Sequence, residues 1–475
     1  MIDKRQFYIN GQWVAPATAN DLDVIDPATE EVCAVISLGD QADTDAAVAA
    51  ARAAFEGWAD TPLEQRVALI KKLGEIYNAR RNDMAEAIRM EMGAPIDLAR
   101  SSQWGSGSWH LSGFLEALES FDFESQMGTD RIRKEPIGVC GLITPWNWPM
   151  NQVVLKAIPA LAVGCTMVLK PSEIAPLSSL VFAEMVDEAG FPPGVFNLVN
   201  GDGVGVGSQL SSHPDVDMIS FTGSTRAGIA ITKAAADTLK RVSLELGGKG
   251  ANVIFADADE KAVKRGVIHC MNNTGQSCNA PTRMFVEKSR YDEALEQARA
   301  AAEATQVGPT TESGRHIGPV VSELQFNKIQ GLIETGIKEG ATLLAGGLGR
   351  PEGVNKGYFV RPTVFADVTP DMTIYREEIF GPVLSIIPFE TEEQAVEMAN
   401  DTVYGLTNYV QTQDDNKRLR MARKVRSGMV ETNGVGRVNG SPFGGYKQSG
   451  NGREGGEWGL EEFCETKSIS GVPMG

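Results

Sequence analysis

A chain of 475 residues, 42% hydrophobic and 22% charged, has the balance of a soluble globular protein and the length for two or three domains with sizeable cores. Its net charge of −18 argues against nucleic acid or an anionic membrane as a partner, since both would repel it. Six scattered cysteines without a CxxC pair and four dispersed histidines argue against a disulfide framework and a zinc-type site, so no metal is expected and the reducing cytoplasm is the expected compartment.

Residues 1–6 contain no apolar signal region, and the longest uncharged apolar run, 158–169, is too short to span a bilayer. Residues 7–37 read as short strands and turns, with Asn10-Gly11 a hairpin signal. From Asp43 the pattern becomes helical and places Val48, Ala51, Phe55 and Trp58 on one face. Thr61-Pro62 predicts an N-cap followed by proline at the start of a long helix. Further helix is broken near Gly93-Ala94-Pro95 and continues to about Leu118. Residues 121–135 alternate apolar and charged around Met127-Gly128-Thr129, which suits an exposed hairpin.

From Val139 short apolar runs alternate with helices. Strands are predicted over 139–143, 166–169, 195–198, 218–221 and 241–245, with helices such as 175–189 and 225–236 between them. A second series runs through 253–255, 284–286, 342–345, 383–388 and 429–431. Two such series predict an α/β protein with two doubly wound parallel sheets, dividing near Gly247-Gly248.

The chemistry centres on Asn272-Asn273-Thr274-Gly275-Gln276-Ser277-Cys278-Asn279-Ala280-Pro281, a small polar loop after the apolar run 267–271. A second stretch, Leu244-Glu245-Leu246-Gly247-Gly248-Lys249, is a strand end running into a Gly-Gly turn. A thiolate can attack a carbonyl carbon, and a carboxylate at a strand end, beside glycines that admit close approach, can activate water. On composition alone, Cys278 reads better as a small buried hydrophobe and Glu245 as a solvated charge. His269 reads as a packing histidine.

Gly201-Asp202-Gly203-Val204-Gly205-Val206-Gly207 has the wrong spacing for a dinucleotide fingerprint. Phe221-Thr222-Gly223-Ser224-Thr225 ends a strand and opens a helix whose N–H groups favour an anion. Val168-Leu169-Lys170-Pro171-Ser172-Glu173 ends another strand with a pair suited to ribose hydroxyls. Taken singly, the first is also an ordinary helix cap and the second a surface ion pair.

In order along the chain stand Thr144-Pro145-Trp146-Asn147-Trp148-Pro149, Lys170-Pro171-Ser172-Glu173, Phe221-Thr222-Gly223-Ser224 and Glu245-Leu246-Gly247-Gly248-Lys249. Gly275-Gln276-Ser277-Cys278, Glu377-Glu378-Ile379-Phe380-Gly381-Pro382-Val383 and Pro442-Phe443-Gly444-Gly445-Tyr446-Lys447 come after them. Together they resemble the NAD(P)-dependent aldehyde dehydrogenase superfamily over essentially the full length. The resemblance implies an NAD-binding domain over 1–120 and 138–247 and a catalytic domain over 248–447. It also implies a small β oligomerisation flap from 121–137 and 448–475, in a homodimer or homotetramer.

It further implies that Cys278 is the nucleophile, forming a thiohemiacetal and then a thioester, with the Asn147 amide and the Cys278 N–H as oxyanion hole. Glu245 would activate the hydrolytic water, and Lys156 and Glu454 match positions linked to proton relay and ordering. NAD would be held by Thr144, Trp146, Lys170, Ser172, Glu173, Gly223, Ser224, Leu246, Gln325, Lys328, Glu378 and Phe380. Glu173 would repel a 2′-phosphate and so favour NAD over NADP, although Arg226 nearby softens that repulsion. Trp148, Gln152, Leu155, Ser277, Asn279 and Phe443 would line the aldehyde tunnel. Arg437 would sit near its mouth, where it is either a partner for the carboxylate of a semialdehyde or an ordinary surface arginine. Coenzyme A or phosphate as acyl acceptor, and a non-catalytic scaffold, are the competing readings; the presence of Glu245, Cys278 and Asn147 argues against both.

Overall fold

The computed structural model describes residues 1–471. Two seven-stranded sheets form its two halves. In the first, Val139–Ile143 lies centrally, flanked by Met218–Thr222 and then Arg241–Glu245 on one side and by Thr166–Lys170 and then Phe196–Leu198 on the other, all parallel. The central strands are buried along their whole length, as expected of a parallel sheet covered by helices on both faces. Because the earliest parallel strand is in the middle, its carboxyl end and that of Met218–Thr222 border the crevice where such sheets take ligands. The hairpin Phe7–Ile9 with Gln12–Val14 extends this sheet antiparallel, and its turn residues Asn10 and Gly11 take φ of 52° and 73°, matching the expected tight turn.

The second sheet runs Thr342–Ala345, Thr363–Ala366, Val383–Phe389, Arg283–Glu287, Ala251–Ile254, Thr407–Gln411, Met429–Thr432, parallel except for its first strand. Thr363–Ala366 and Thr407–Gln411 escape the sequence reading. The latter is polar yet wholly buried, and Asn408 in it has partners for both side-chain atoms: Oδ1 accepts from Ala251 N at 3.0 Å and Nδ2 donates to Ser427 Oγ at 3.1 Å.

A third sheet pairs Cys464–Ile469 with Asp130–Pro136, and that strand with Glu124–Met127; its outer strands are largely exposed and the middle one is half-buried. A fourth joins Ile2–Lys4, Glu31–Ser37 and Asp21–Asp26. The expected proline-led helix is Leu63–Ala79, but Pro62 is its N-cap, without a side-chain cap bond. Thr61 does not cap it, because its hydroxyl donates backward to Gly57 O at 2.8 Å. Helix Pro149–Val163 is buried on almost every side, the mark of an element running through the centre of a large core. Among the described residues no helix is long and apolar enough to cross a membrane.

Candidate active site

Helix Ala262–Met271 delivers the chain into Asn273, Thr274 and Gly275, whose φ values of 51°, 57° and 73° are all left-handed. Two non-glycine residues in that region cost about 1–2 kcal/mol each, and hydrogen bonds from outside the loop offset this. The Asn273 amide donates to Asn147 O at 3.0 Å and to Gln276 O at 3.2 Å. Thr274 Oγ1 donates to Gly318 O at 3.1 Å, and Gln276 Oε1 accepts from Val321 N at 2.9 Å. Gly275 lies so close to the Gly381 carbonyl that a Cβ there would collide with backbone. This coil turns Cys278, partly exposed, toward the cleft between the two sheets. Opposite, Gly248 presses on the Cys278 carbonyl with no room for a side chain. Burial first, then the carboxylates of Glu378, Glu245 and Glu454, push the Cys278 thiol up to about 12.

Asn147, buried just beyond Val139–Ile143, donates from Nδ2 to Gln276 O at 3.1 Å. Trp148 Nε1 donates to Ser277 Oγ at 2.8 Å, tying the two loops together again. Gln103, absent from the sequence reading, donates from Nε2 to both Asn147 O at 3.0 Å and Asn273 Oδ1 at 3.1 Å. The stretch Arg100-Ser101-Ser102-Gln103 has no apolar periodicity to flag it, and Asn273 stands out in the sequence only as part of its loop.

Glu245 ends Arg241–Glu245 and is 2% exposed, yet neither carboxylate oxygen has a hydrogen-bond partner among the described residues. Burial, reinforced by Glu454 and opposed by Lys156 and Arg453, holds its carboxyl well above the usual range. Lys156 and Glu454 themselves form a short buried ion pair. An unpartnered carboxyl can give up its proton and take one back without breaking a structural bond.

A cavity of about 230 Å³ lies in the cleft. It gathers Asn147 and Cys278 with the predicted cofactor residues Trp146, Gly223, Ser224, Leu246, Gln325, Lys328, Glu378 and Phe380. Gln325 Nε2 donates to Phe380 O at 2.8 Å and Lys328 Nζ to Glu378 O at 3.0 Å, so these side chains shape the wall as well as facing the cavity. Glu378 Oε1 accepts from Gly248 N at 2.8 Å, and Trp146 meets Phe380 edge-on at 5.4 Å. Ser224 caps helix Thr225–Ala235, leaving first-turn N–H groups for an anion. Thr144, Lys170, Ser172 and Glu173 do not line this cavity and sit at neighbouring strand ends. Thr144 N donates to Lys170 O at 3.1 Å, and Lys170 Nζ is held by Pro171 O at 2.8 Å, Gly201 O at 2.7 Å and Glu173 at 3.5 Å. An anion-accepting helix end, an aromatic wall and a lysine–glutamate pair at an adjacent strand end fit a dinucleotide.

On the other side, Gln152 and Lys156 share one face of helix Pro149–Val163 at four-residue spacing, and Gln152 N donates to the carbonyl of the N-cap Trp148 at 3.1 Å. Gln152 therefore lies between the residue bonded to Ser277 and the residue paired with Glu454, and its buried Oε1 has no partner among the described residues. Leu155 is buried beside it. The Asn279 carbonyl accepts from Tyr409 Oη at 2.7 Å, and Phe443 exchanges two backbone bonds of 2.8 Å with Glu454. Arg437 stacks over Phe443 at 4.9 Å with Glu431 at 3.7 Å from its Nε, a neighbour that the sequence reading did not include. Tyr409, His110, Asn151 and Glu431 also escape the sequence reading as site residues.

The aldehyde dehydrogenase family model matches residues 13–469. The chain belongs to the aldehyde dehydrogenase family. It is 52% identical over 473 residues to a 3-succinoylsemialdehyde-pyridine dehydrogenase of a Pseudomonas species, covering 99% of each chain. A crystal structure of an aldehyde dehydrogenase from Bartonella henselae is 61% identical and superposes with a TM-score of 0.98, over 99% of this chain and 100% of that one. Aldehyde dehydrogenase C from Pseudomonas syringae, crystallised as a variant with NAD+ and octanal, is 49% identical with a TM-score of 0.97, over 98% of this chain and 96% of that one. This aldehyde dehydrogenase is thus an oxidoreductase acting on aldehydes, with the expected two-sheet fold and β flap.

Proposed function

We propose that this aldehyde dehydrogenase oxidises an aldehyde to the carboxylic acid with NAD, through a thiohemiacetal and a thioester on Cys278. The observation that carries this is the meeting of Cys278, Asn147 and the cofactor-cleft residues around one cavity, with the unpartnered Glu245 carboxyl close enough to raise the Cys278 thiol. The deprotonated Cys278 sulfur adds to the aldehyde carbon. The free N–H of the Asn147 amide and the Cys278 backbone N–H hold the resulting oxyanion. Bound NAD supplies the acceptor for the hydride. Glu245 takes a proton from water, whose oxygen then attacks the thioester and releases the acid and the thiol. Trp146, Ser224, Gln325, Lys328, Glu378 and Phe380 hold the cofactor in the cleft, with Thr144, Lys170, Ser172, Glu173, Gly223 and Leu246 around them. The acidic Glu173, beside Lys170 at 3.5 Å, supports NAD over NADP.

Trp148, Gln152, Leu155, Ser277, Asn279 and Phe443 surround the aldehyde. The Pseudomonas relative named for a semialdehyde carried on a pyridine, and the neighbour crystallised with octanal, support a tunnel that takes a chain of some length. We assign cofactor binding to 1–120 and 138–247, catalysis to 248–447, and subunit contacts to 121–137 and 448–475, of which 472–475 lie outside the described residues. The exposed strands Glu124–Met127 and Cys464–Ile469 are pairing edges that support a dimer or tetramer. The scattered cysteines support a cytoplasmic location.

The test is NADH formation with aliphatic, aromatic and carboxylated aldehydes, with NADP and coenzyme A as controls. Cys278-dependent turnover is expected, abolished in Cys278→Ala. NAD binding without turnover of any aldehyde would leave only a binding protein.

A further inference from the structure

A second, larger pocket, of about 640 Å³, is built against the loop that carries Cys278. Asn272 and Pro281, the two ends of that loop, form part of its wall. So does Tyr409, whose hydroxyl holds the Asn279 carbonyl at 2.7 Å. None of its lining residues borders the cleft cavity around Cys278.

Another wall is helix Ala262–Met271. Lys264, Arg265, Ile268 and His269 share one face of it, and Lys261 precedes them at its N-cap. Three cations thus stand within one turn, three and four positions apart, where like charges repel. Only one of them is answered. Arg265 donates to both carboxylate oxygens of Asp259, at 3.2 and 2.8 Å, and to Gln411 Oε1 at 2.7 Å. Lys261 and Lys264 are exposed, and neither ammonium has a partner among the described residues. Glu431 is the one acid among the lining residues; burial raises its carboxyl, and Arg437, 3.7 Å away, answers its charge. The pocket therefore holds two unanswered positive charges in a chain of net charge −18.

The rest of the wall is weakly polar: half-exposed Ile268, Pro281, and the His269 ring set edge-on to Tyr409 at 5.0 Å. A ligand with one charged end and an apolar body meets both kinds of surface. Its charged end is a carboxylate rather than a phosphate, because the one guanidinium lining the pocket, whose fork matches phosphate, is already filled by Asp259. Two separate ammoniums serve a single carboxylate as point charges.

We infer that this pocket binds an organic carboxylate with an apolar body, its charge between Lys261 and Lys264 and its body over Ile268, His269 and Pro281. The site is separate from the one assigned to the aldehyde and does not depend on the reaction at Cys278.

The test is calorimetric titration of the NAD-saturated enzyme with octanoate, against uncharged octanamide and inorganic phosphate. Octanoate is expected to bind at one site per chain, at least about tenfold more tightly than either comparison. In the double variant Lys261→Met/Lys264→Met, octanoate is expected to bind no more tightly than octanamide. Ile268→Trp, which fills the apolar wall, is expected to weaken octanoate and octanamide alike. Thermal unfolding of both variants should match the parent, since all three side chains are exposed. No octanoate binding by the parent, or an affinity in the double variant within about twofold of the parent, overturns the site. Phosphate binding as tightly as octanoate overturns the carboxylate assignment.

Discussion

The Asn147 side-chain amide donates one N–H to the carbonyl of Gln276 at 3.1 Å, and that bond fixes where its other N–H points. The Asn147 backbone carbonyl is meanwhile clamped by Gln103 and Asn273, both at 3.0 Å. The donor is thus oriented before substrate arrives, which is the condition under which such donors lower a barrier most. Asn147→Ala is expected to reduce kcat about 10²–10³-fold. Pre-steady-state NADH formation is the check, because loss of an oxyanion donor slows the first turnover, whereas a defect in hydrolysis leaves it fast.

Glu245→Gln separates the two half-reactions. Without the base, one NADH per site is expected in a burst, followed by slow steady turnover, with the acyl group retained on Cys278 and visible as added mass. The pH dependence follows from the raised carboxyl: the basic form grows as pH rises, so hydrolysis in the parent should speed up with pH above the ordinary carboxylate range. The variant should lack that rise. A burst absent from the variant, with hydride formation itself slowed, would move Glu245 to an earlier step.

Removing Lys156 leaves Glu454 buried with no cation, and Glu454 Oε2 already lacks a partner among the described residues. Lys156→Met is expected to destabilise the fold by about 3–5 kcal/mol, whereas Lys156→Met combined with Glu454→Leu should recover most of it. Denaturant unfolding of the two variants and the parent checks this. If the double variant is no more stable than the single one, the pair is not the source.

Glu91 is fully buried and accepts from the N–H groups of Leu177 and Ser178 at the start of helix Leu177–Ala189. Burial raises its carboxyl from 4.5 to about 7. The folded protein therefore keeps a proton that the unfolded chain has lost, so stability falls as pH rises between those values, by about 3 kcal/mol in all. Glu91→Gln should remove that slope, so the parent should gain stability relative to the variant on going from about pH 8 to about pH 5. Chemical denaturation at the two pH values decides it.

Local signals were legible where the cause is local. The Asn10-Gly11 turn and the apolar strands of the first sheet follow from nearby residues. The motifs found in order along the sequence supplied Cys278, Asn147 and the cavity wall. What stayed hidden depends on partners far away in the chain. Gln103 meets Asn273 across 170 residues, and nothing near either position announces the other. Thr407–Gln411 hides a buried strand behind polar side chains whose partners lie on other segments. Thr61-Pro62 misled because the hydroxyl had a better acceptor one turn back. Glu431 is six positions from Arg437, yet only the turn at Asn433-Gly434 brings the two side chains together.

The left-handed run at Asn273, Thr274 and Gly275 draws its support from Asn147 on one side of the cleft and from Gly318 and Val321 on the other. Neither side alone can hold that shape. A nascent or partly unfolded chain therefore carries Cys278 as an ordinary thiol with no oxyanion donor facing it. Toward aldehydes the protein is therefore expected to be inert until its two halves have closed, so that its reactivity would report on completed folding rather than on the presence of the cysteine.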